Sequence, residues 1–142
     1  MNVDIKPRDC QFYVDEEKRK VVCVIPHTAE LFFNYIEDFS LDVNASSKFW
    51  TNLLMPHRFT GVATCSPEDT FDEETGRLIA FNKAKRKLNS SFFKRAQTFV
   101  NYIDSKFTEM IESFNTFGER LSNTTERREN KINELLKVKE EV

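Results

Sequence analysis

Glycine is scarce in this sequence: only three of its 142 residues are glycines, namely Gly61, Gly76 and Gly118. Phosphate-binding loops need closely spaced glycines, because their backbone N–H groups must approach the phosphates. The three glycines are too far apart for such a loop, so the sequence argues against nucleotide-dependent chemistry. The chain also lacks a run of 18 apolar residues, which excludes a transmembrane helix, and we expect no membrane partner.

Cysteine and histidine are sparse as well. The three cysteines (Cys10, Cys23, Cys65) and two histidines (His27, His57) form no Cys-x-x-Cys or His-x-x-x-His pair, the tight spacing that is typical of structural zinc sites. We therefore expect no metal site, no cofactor and reduced thiols. Catalysis by a Cys–His pair would require spatial adjacency that spacing does not predict. With no catalytic motif, the sequence favours a protein that is not an enzyme.

Phenylalanine and charged residues are abundant in the sequence. Fourteen residues are Phe, 39% are apolar and 31% are charged. A chain of this length and composition forms one ordinary folded domain with a highly charged surface.

The strongest pattern is an apolar stripe that runs from Phe93 to Leu121 in alternating steps of three and four residues. Phe92, Phe99 and Ile111 widen it. A helix of this length spans about 43 Å, and three short strands and a short helix cover only part of it. The alternatives are internal core and self-association, and we expect the following residues to form a homo-oligomer interface, with a homodimer as the simplest case: Val100, Ile103, Phe107, Met110, Phe114, Phe117 and Leu121.

The other patterns predict an α+β fold, in which a small antiparallel N-terminal sheet packs with helices and a long C-terminal helical arm follows. Alternating β-rich runs predict strands over 11–14, 21–25 and 59–65. Thr28 is a candidate N-cap for a helix over 29–39, and 40–48 is predicted to be a loop. The apolar segment 49–55 is either a helical turn or a buried strand, so the path of the chain over 40–58 stays open.

Two polar interruptions predict the domain organisation. Asp72 is expected to cap a helix that ends near Leu88, because Asn89 and Ser90 disfavour a helix interior. We therefore predict an α+β domain over 1–90 and a coiled-coil-like helical arm over 91–142. Residues 122–125, Ser-Asn-Thr-Thr, predict a break in the arm before a second helix.

Residues 61–85 carry a strand–turn–helix motif made of Cys65, Pro67, Asp69, Phe71, Asp72, Gly76, Ala80 and Lys83. This segment resembles a pattern in small, mostly uncharacterised proteins of Gram-positive bacteriophages and prophages. The resemblance implies a viral or mobile-element accessory protein that binds a host or viral protein. By analogy of origin, it extends to an inhibitor of a host defence system such as CRISPR–Cas. Because residues 1–6 contain no apolar signal core and the sequence has no transmembrane run, we expect a cytoplasmic location, in the host cell if the chain is viral.

Two charged surfaces are candidate binding sites. The acidic rim is predicted to face a basic partner surface, or else only to cap turns and a helix; it consists of Glu68, Asp69, Asp72, Glu73 and Glu74. The basic cluster supports an alternative function, nucleic-acid binding, or else is a solvated helix end; it consists of Lys83, Lys85, Arg86, Lys87, Lys94 and Arg95.

Overall fold

The structure is a computed structural model that describes residues 4–39 and 44–141. Within these residues it contains three strands and three α-helices, preceded by a short 3-10 helix at Pro7–Asp9. In chain order they are β1 (Gln11–Asp15), β2 (Lys20–Pro26), α1 (Leu31–Glu37), α2 (Ser47–Asn52), β3 (Arg58–Thr64) and α3 (Glu73–Glu140). The α+β prediction is confirmed.

The three strands form one antiparallel sheet in the order β1-β2-β3. On β2 the buried residues are Val21, Cys23 and Ile25, which alternate with less buried ones. Cys23 pairs with Phe12 of β1 on one side and with Gly61 of β3 on the other. Because side chains alternate along a strand, this pattern places one face of the sheet against the core.

The first turns of α3 pack closely on that face through small residues. Gly76, Ala80 and Ala84 follow one another at four-residue steps and therefore lie on one side of the helix. Ala80 and Ala84 are fully buried, and a Cβ on Gly76 would lie 2.7 Å from the Val21 methyl carbon Cγ2. The Gly and Ala positions of the motif thus set the distance between helix and sheet.

A continuous network of aromatic rings joins α1, α2 and α3. At its centre is Phe32, whose ring centroid lies 5.3 Å from that of Phe92 and 6.0 Å from that of Phe99. Phe49 of α2 lies 6.4 Å from Phe99 and 5.4 Å from Trp50. Edge-to-face and stacked aromatic pairs stabilise beyond the area that they bury. The high Phe content of the sequence is therefore used in part for this core.

The short helices differ in detail from their predictions. The segment 49–55, which the sequence left open, lies largely in α2, and the Ser46 hydroxyl caps this helix by accepting a hydrogen bond from the Phe49 nitrogen at 3.2 Å. Thr28 does not cap α1, which begins at Leu31. Its hydroxyl is fully buried and donates to the Pro56 carbonyl oxygen instead. Of the predicted loop at 40–48, residues 40–43 lie outside the described residues.

The structure also differs at both predicted interruptions of the C-terminal half, because α3 continues through them. Near Asn89 and Ser90, burial of Leu88 and Phe99 favours a continuous helix over its local sequence. At 122–125, the hydroxyls of Thr124 and Thr125 donate to the carbonyl oxygens four residues earlier, at 2.8 Å and 3.0 Å. Polar side chains that bond within the helix in this way are tolerated there.

The chain divides into two compact units, Met1–Phe99 and Val100–Val142, instead of at residue 90. The first unit holds the sheet, α1, α2 and the N-terminal part of α3. The described residues of the second unit belong to the remainder of α3, apart from Glu141, which follows the helix.

Candidate functional site

The strand–turn–helix motif forms a corner between β3 and α3 that is stabilised by a helix cap. The Glu74 nitrogen donates to Asp72 Oδ1 at 3.1 Å, and the Thr75 hydroxyl donates to Oδ2. The hydrogen bond from Thr75 is the main reason why the pKa of Asp72 lies below its ordinary value. The predicted cap is confirmed, and Asp72 is accounted for as a structural residue.

Arg19, which the sequence analysis did not single out, ties the β1–β2 turn to this corner. Its guanidinium donates to the carbonyl oxygens of Pro67, at 3.2 Å, and of Asp69. The Cys65 nitrogen donates back to the Arg19 carbonyl at 2.9 Å. Arg19 has a φ of 50°, a left-handed conformation that a side chain rarely adopts. A single arginine in a charged turn carries no sequence signal for this role.

The acidic rim is exposed, but its five members differ in what they do. Asp72 caps α3, and Glu73 forms an ion pair with Arg77 at 2.6 Å. In the part of the chain that the structure describes, the carboxylates of Glu68, Asp69 and Glu74 make no hydrogen bond or ion pair. These three carboxylates are therefore the ones that remain for a partner. A cleft of about 320 Å³ beside them is lined in part by Asp69, Asp72 and Phe71.

Four members of the basic cluster are engaged within unit 1. Lys83 Nζ donates to the Val62 carbonyl at 3.0 Å, and Lys87 Nζ donates to the Thr60 carbonyl at 2.8 Å. Since β3 is an edge strand, these contacts cover carbonyl groups that another chain would otherwise pair with. Lysines at such positions protect the sheet edge, so their presence is no indication of nucleic-acid binding by itself.

Lys85 and Arg95 are also held by nearby groups. Lys85 Nζ donates to Asp4 Oδ1 at 2.9 Å and to the Ile5 carbonyl at 3.1 Å. Arg95 donates to the carbonyl oxygens of Leu54, at 3.2 Å, and Ser91, at 3.3 Å. Lys85 thus connects α3 to the N-terminal segment. Arg95 connects α3 to Leu54, which follows α2, and to the previous turn of α3 itself.

Arg86 and Lys94 are exposed, as Lys83 and Lys87 are, but their side chains make no hydrogen bond or ion pair within residues 4–39 and 44–141. Phe93 lies beside Lys94 in the chain and is 70% exposed. A shallow depression of about 440 Å³ is lined in part by Arg86, Asn89 and Phe93. Of the predicted nucleic-acid residues, Arg86 and Lys94 are therefore the two whose charges have no partner among the described residues.

The predicted self-association residues all lie in unit 2, and six of the seven are exposed by 46% to 67%; Ile103 is half-buried. Phe92 and Phe99, which widened the stripe in the sequence, belong to the core of unit 1 instead. Phe93, at the start of the stripe, is exposed, the widening residues Phe92 and Phe99 pack in the core, and the stripe beyond Phe99 is a largely solvent-exposed apolar face. Internal core therefore accounts for Phe92 and Phe99, and self-association through the exposed residues stays a prediction.

The continuity of α3 extends this face beyond Leu121. Ile132 and Leu135 follow Phe114 and Phe117 by 18 residues each, which is five turns at 3.6 residues per turn. They therefore lie on the same side of the helix, and both are more than half exposed. The sequence analysis predicted a break at 122–125 and a separate second helix, so it did not join these residues to the stripe. We call this surface, from Val100 to Leu136, the apolar face of unit 2.

Comparisons with protein-family models, with curated proteins and with solved structures give no significant match to this chain. Within the described ranges, no helix is long and apolar enough to cross a membrane. Among the same residues, no group of three His, Cys, Asp or Glu side chains is placed to hold a metal ion.

Proposed function

We propose that this chain is a non-enzymatic accessory protein that acts by protein–protein binding, and that the apolar face of unit 2 pairs with the same face of a second copy. The observation that carries the proposal is the exposure of large apolar side chains along one side of a continuous helix, from Val100 to Leu136. Such patches are larger than those that monomeric proteins leave in water.

The size of the face suits an interface between two chains. Each of about ten large side chains exposes on the order of 100 Å², since an aromatic side chain offers 150–250 Å² in all. Pairing two copies would bury roughly 2,000 Å² in total, which matches the range of about 1,200–2,000 Å² for stable, specific interfaces. The apolar face therefore carries enough area for a lasting association.

The width of the face favours two helices over a larger bundle. Beyond Phe99, Ile111 and Leu136 lie beside the central stripe, whose other residues follow steps of three and four from Val100 to Leu121 and resume with Ile132 and Leu135 after a polar interval. A narrow stripe of this kind is typical of a two-stranded coiled coil, whereas broader faces pack in bundles. A second copy supplies a stripe of the same length and spacing.

The accessory role itself rests on the corner motif and on the free carboxylates of the acidic rim. Glu68, Asp69 and Glu74 are three exposed negative charges of the same segment, which suits a basic protein surface and predicts binding that weakens as salt rises. The phage or prophage origin, and with it the inhibition of a host defence system such as CRISPR–Cas, stays a prediction from the resemblance of residues 61–85.

Light scattering in line with size exclusion tests the pairing. We expect twice the mass of one chain at micromolar concentration, and one chain mass for Phe114→Glu, because the variant places a charge within the apolar face. Thr116→Glu, which adds the same charge on the opposite side of α3, is the matched control and should stay dimeric. A wild-type chain that stays monomeric at high micromolar concentration would contradict the proposal.

Nucleic-acid binding is the second candidate function, and one observation favours it: Phe93 is exposed next to the free cation of Lys94, with Arg86 lining the same depression. Exposed rings between cations stack on the bases of single strands. Fluorescence anisotropy with a labelled single-stranded oligonucleotide tests it. Under this function, Arg86→Glu with Lys94→Glu abolishes binding and Phe93→Ala weakens it, whereas a wild-type chain that does not bind rejects it.

A further inference from the structure

We infer that the two copies pair in parallel and in register, so that Arg128 of each chain lies against Glu129 of the partner subunit. The inference rests on the pairing proposed above and adds the orientation of the two helices. It is carried by the distribution of charge on either side of the apolar face and by the position of Arg128 within that face.

Basic and acidic residues lie on opposite flanks of the face. Lys106, Arg120 and Lys131 each come directly before a residue of the face, which places them on one flank. Asp104 comes directly after Ile103, and Glu129 comes directly after Arg128, which lies on the same side of the helix as the stripe, so both lie on the other flank. Glu109 and Glu134 also come directly before residues of the face, and Glu109 pairs with Lys106 at 2.9 Å, so the first flank is mainly and not wholly basic.

These flanks distinguish the two ways of pairing identical helices. In a parallel pair, the flank that carries Lys106, Arg120 and Lys131 in one chain faces the flank that carries Asp104 and Glu129 in the other. Positive charge therefore meets negative charge. In an antiparallel pair each flank faces its own copy, and the three basic residues of one chain would lie opposite those of the other. Because like charges across an interface are destabilising, the pattern favours the parallel pair.

Arg128 is the one charged residue that interrupts the face between Leu121 and Ile132. It follows Phe117 by 11 residues, and Glu129 follows Gly118 by the same number. Eleven residues correspond to about three helical turns, so Arg128 occupies the side of the helix on which Phe117 lies. A parallel pair in register therefore brings Arg128 into the interface.

A cation inside an apolar interface is costly unless a counter-charge accompanies it. The side chains of Arg128 and Glu129 make no hydrogen bond or ion pair within residues 44–141, where both are exposed. In the parallel pair, Glu129 of the partner subunit lies next to Arg128, and the two-fold axis forms this ion pair twice. The pair accommodates the charge and opposes sliding of one helix along the other, as buried polar residues do in coiled coils.

Disulfide cross-linking tests the orientation in the full chain. Phe107→Cys and Leu121→Cys are made separately with Cys10→Ser and Cys65→Ser, and oxidised glutathione is added. In a parallel pair in register, both residues 107 and 121 face their own copies, so both variants form covalent dimers. An antiparallel pair brings at most one of the two positions together with its copy. Glu112→Cys, on the outer side of α3, is the control that should stay uncross-linked.

Charge exchange tests the ion pair. We expect Arg128→Glu and Glu129→Arg each to raise the dimer dissociation constant about tenfold, and the double exchange to bring it back within about threefold of wild type. If the double-exchange variant dimerises as weakly as the single variants, the proposed ion pair is wrong. If the chain is a dimer but position 107, position 121 or both fail to cross-link, the orientation is wrong and the pairing still holds. A monomeric wild-type chain contradicts both the pairing and the orientation.

Discussion

Gly61 of β3 lies so close to Ala80 of α3 that no side chain fits between them. A Cβ on Gly61 would overlap the Ala80 carbonyl oxygen and would lie 2.5 Å from the Ala84 nitrogen. Both are backbone atoms of a helix and cannot move aside as the end of a flexible side chain can. This contact explains why the corner motif combines a glycine in the strand with small residues at four-residue steps in the helix.

Replacing Gly61 with alanine should therefore destabilise unit 1 strongly. We expect Gly61→Ala to lower the free energy of unfolding by about 1–3 kcal/mol or more, because the added methyl group forces strand and helix apart. Urea denaturation followed by circular dichroism measures the change. Gly118→Ala is the control: nothing lies within 4 Å of its Cβ position, and we expect a helix-propensity gain of about 0.5–1 kcal/mol. Equal stability of Gly61→Ala and wild type would contradict the close contact.

The aromatic network makes a second, graded prediction. Phe32 is 1% exposed and contacts two other rings, whereas Phe39 is 56% exposed at the end of the network. We expect Phe32→Ala to lower the free energy of unfolding by about 3–5 kcal/mol, from lost burial and the cavity left behind. Phe39→Ala should change it by no more than about 0.5 kcal/mol. Thermal melts of both variants measure which one loses more stability, and equal losses of stability would contradict the network.

The cap of α3 makes the stability of unit 1 depend on acid pH. The pKa of the Asp72 carboxyl is lowered from its ordinary value of 3.8 by the Thr75 hydroxyl and by backbone N–H groups. Its stabilising contribution is therefore complete above pH 4 and is lost as the pH falls through the lower, folded-state pKa. We expect Asp72→Asn to flatten the dependence of stability on pH below about 4. Denaturation series at pH 2 to 6 measure the slope, and an unchanged slope would contradict this role.

The cysteines should differ in reactivity. Burial raises the pKa of the Cys23 thiol to about 12, with a contribution from the neighbouring Cys10, and the side chain is fully buried. Because the thiolate is the reactive form, we expect iodoacetamide at neutral pH to leave Cys23 unmodified in the folded chain and to modify all three thiols in denaturant. Mass spectrometry of the peptides measures this. Fast modification of native Cys23 would instead support the nucleophile of an enzyme.

Local and periodic features were predictable from the sequence. The three strands, the α+β class and the Asp72 cap follow from alternation, composition and capping chemistry, all of which act over a few residues. The apolar stripe was also predictable, since its period is that of a helix. These features depend on neighbours in the chain, which the sequence displays directly.

Other features depended on contacts between distant segments. The basic cluster was predicted as a surface, but Lys83 and Lys87 bind carbonyl groups of a strand more than 20 residues earlier. Arg19 was missed because its partners, Pro67 and Asp69, lie about 50 residues further on. Long side chains reach such groups only after the sheet and helix have come together.

By itself, the sequence determined that a long amphipathic stripe exists and that small residues mark the corner before it. Only the tertiary structure decided which of its residues enter the core, Phe92 and Phe99, and that the exposed face beyond them continues through 122–125 to Leu136. The physical reason is that helix propensity is weak, a few tenths of a kcal/mol per residue, whereas burial and intrahelical hydrogen bonds outweigh it. Polar residues that read as a break therefore became part of one helix.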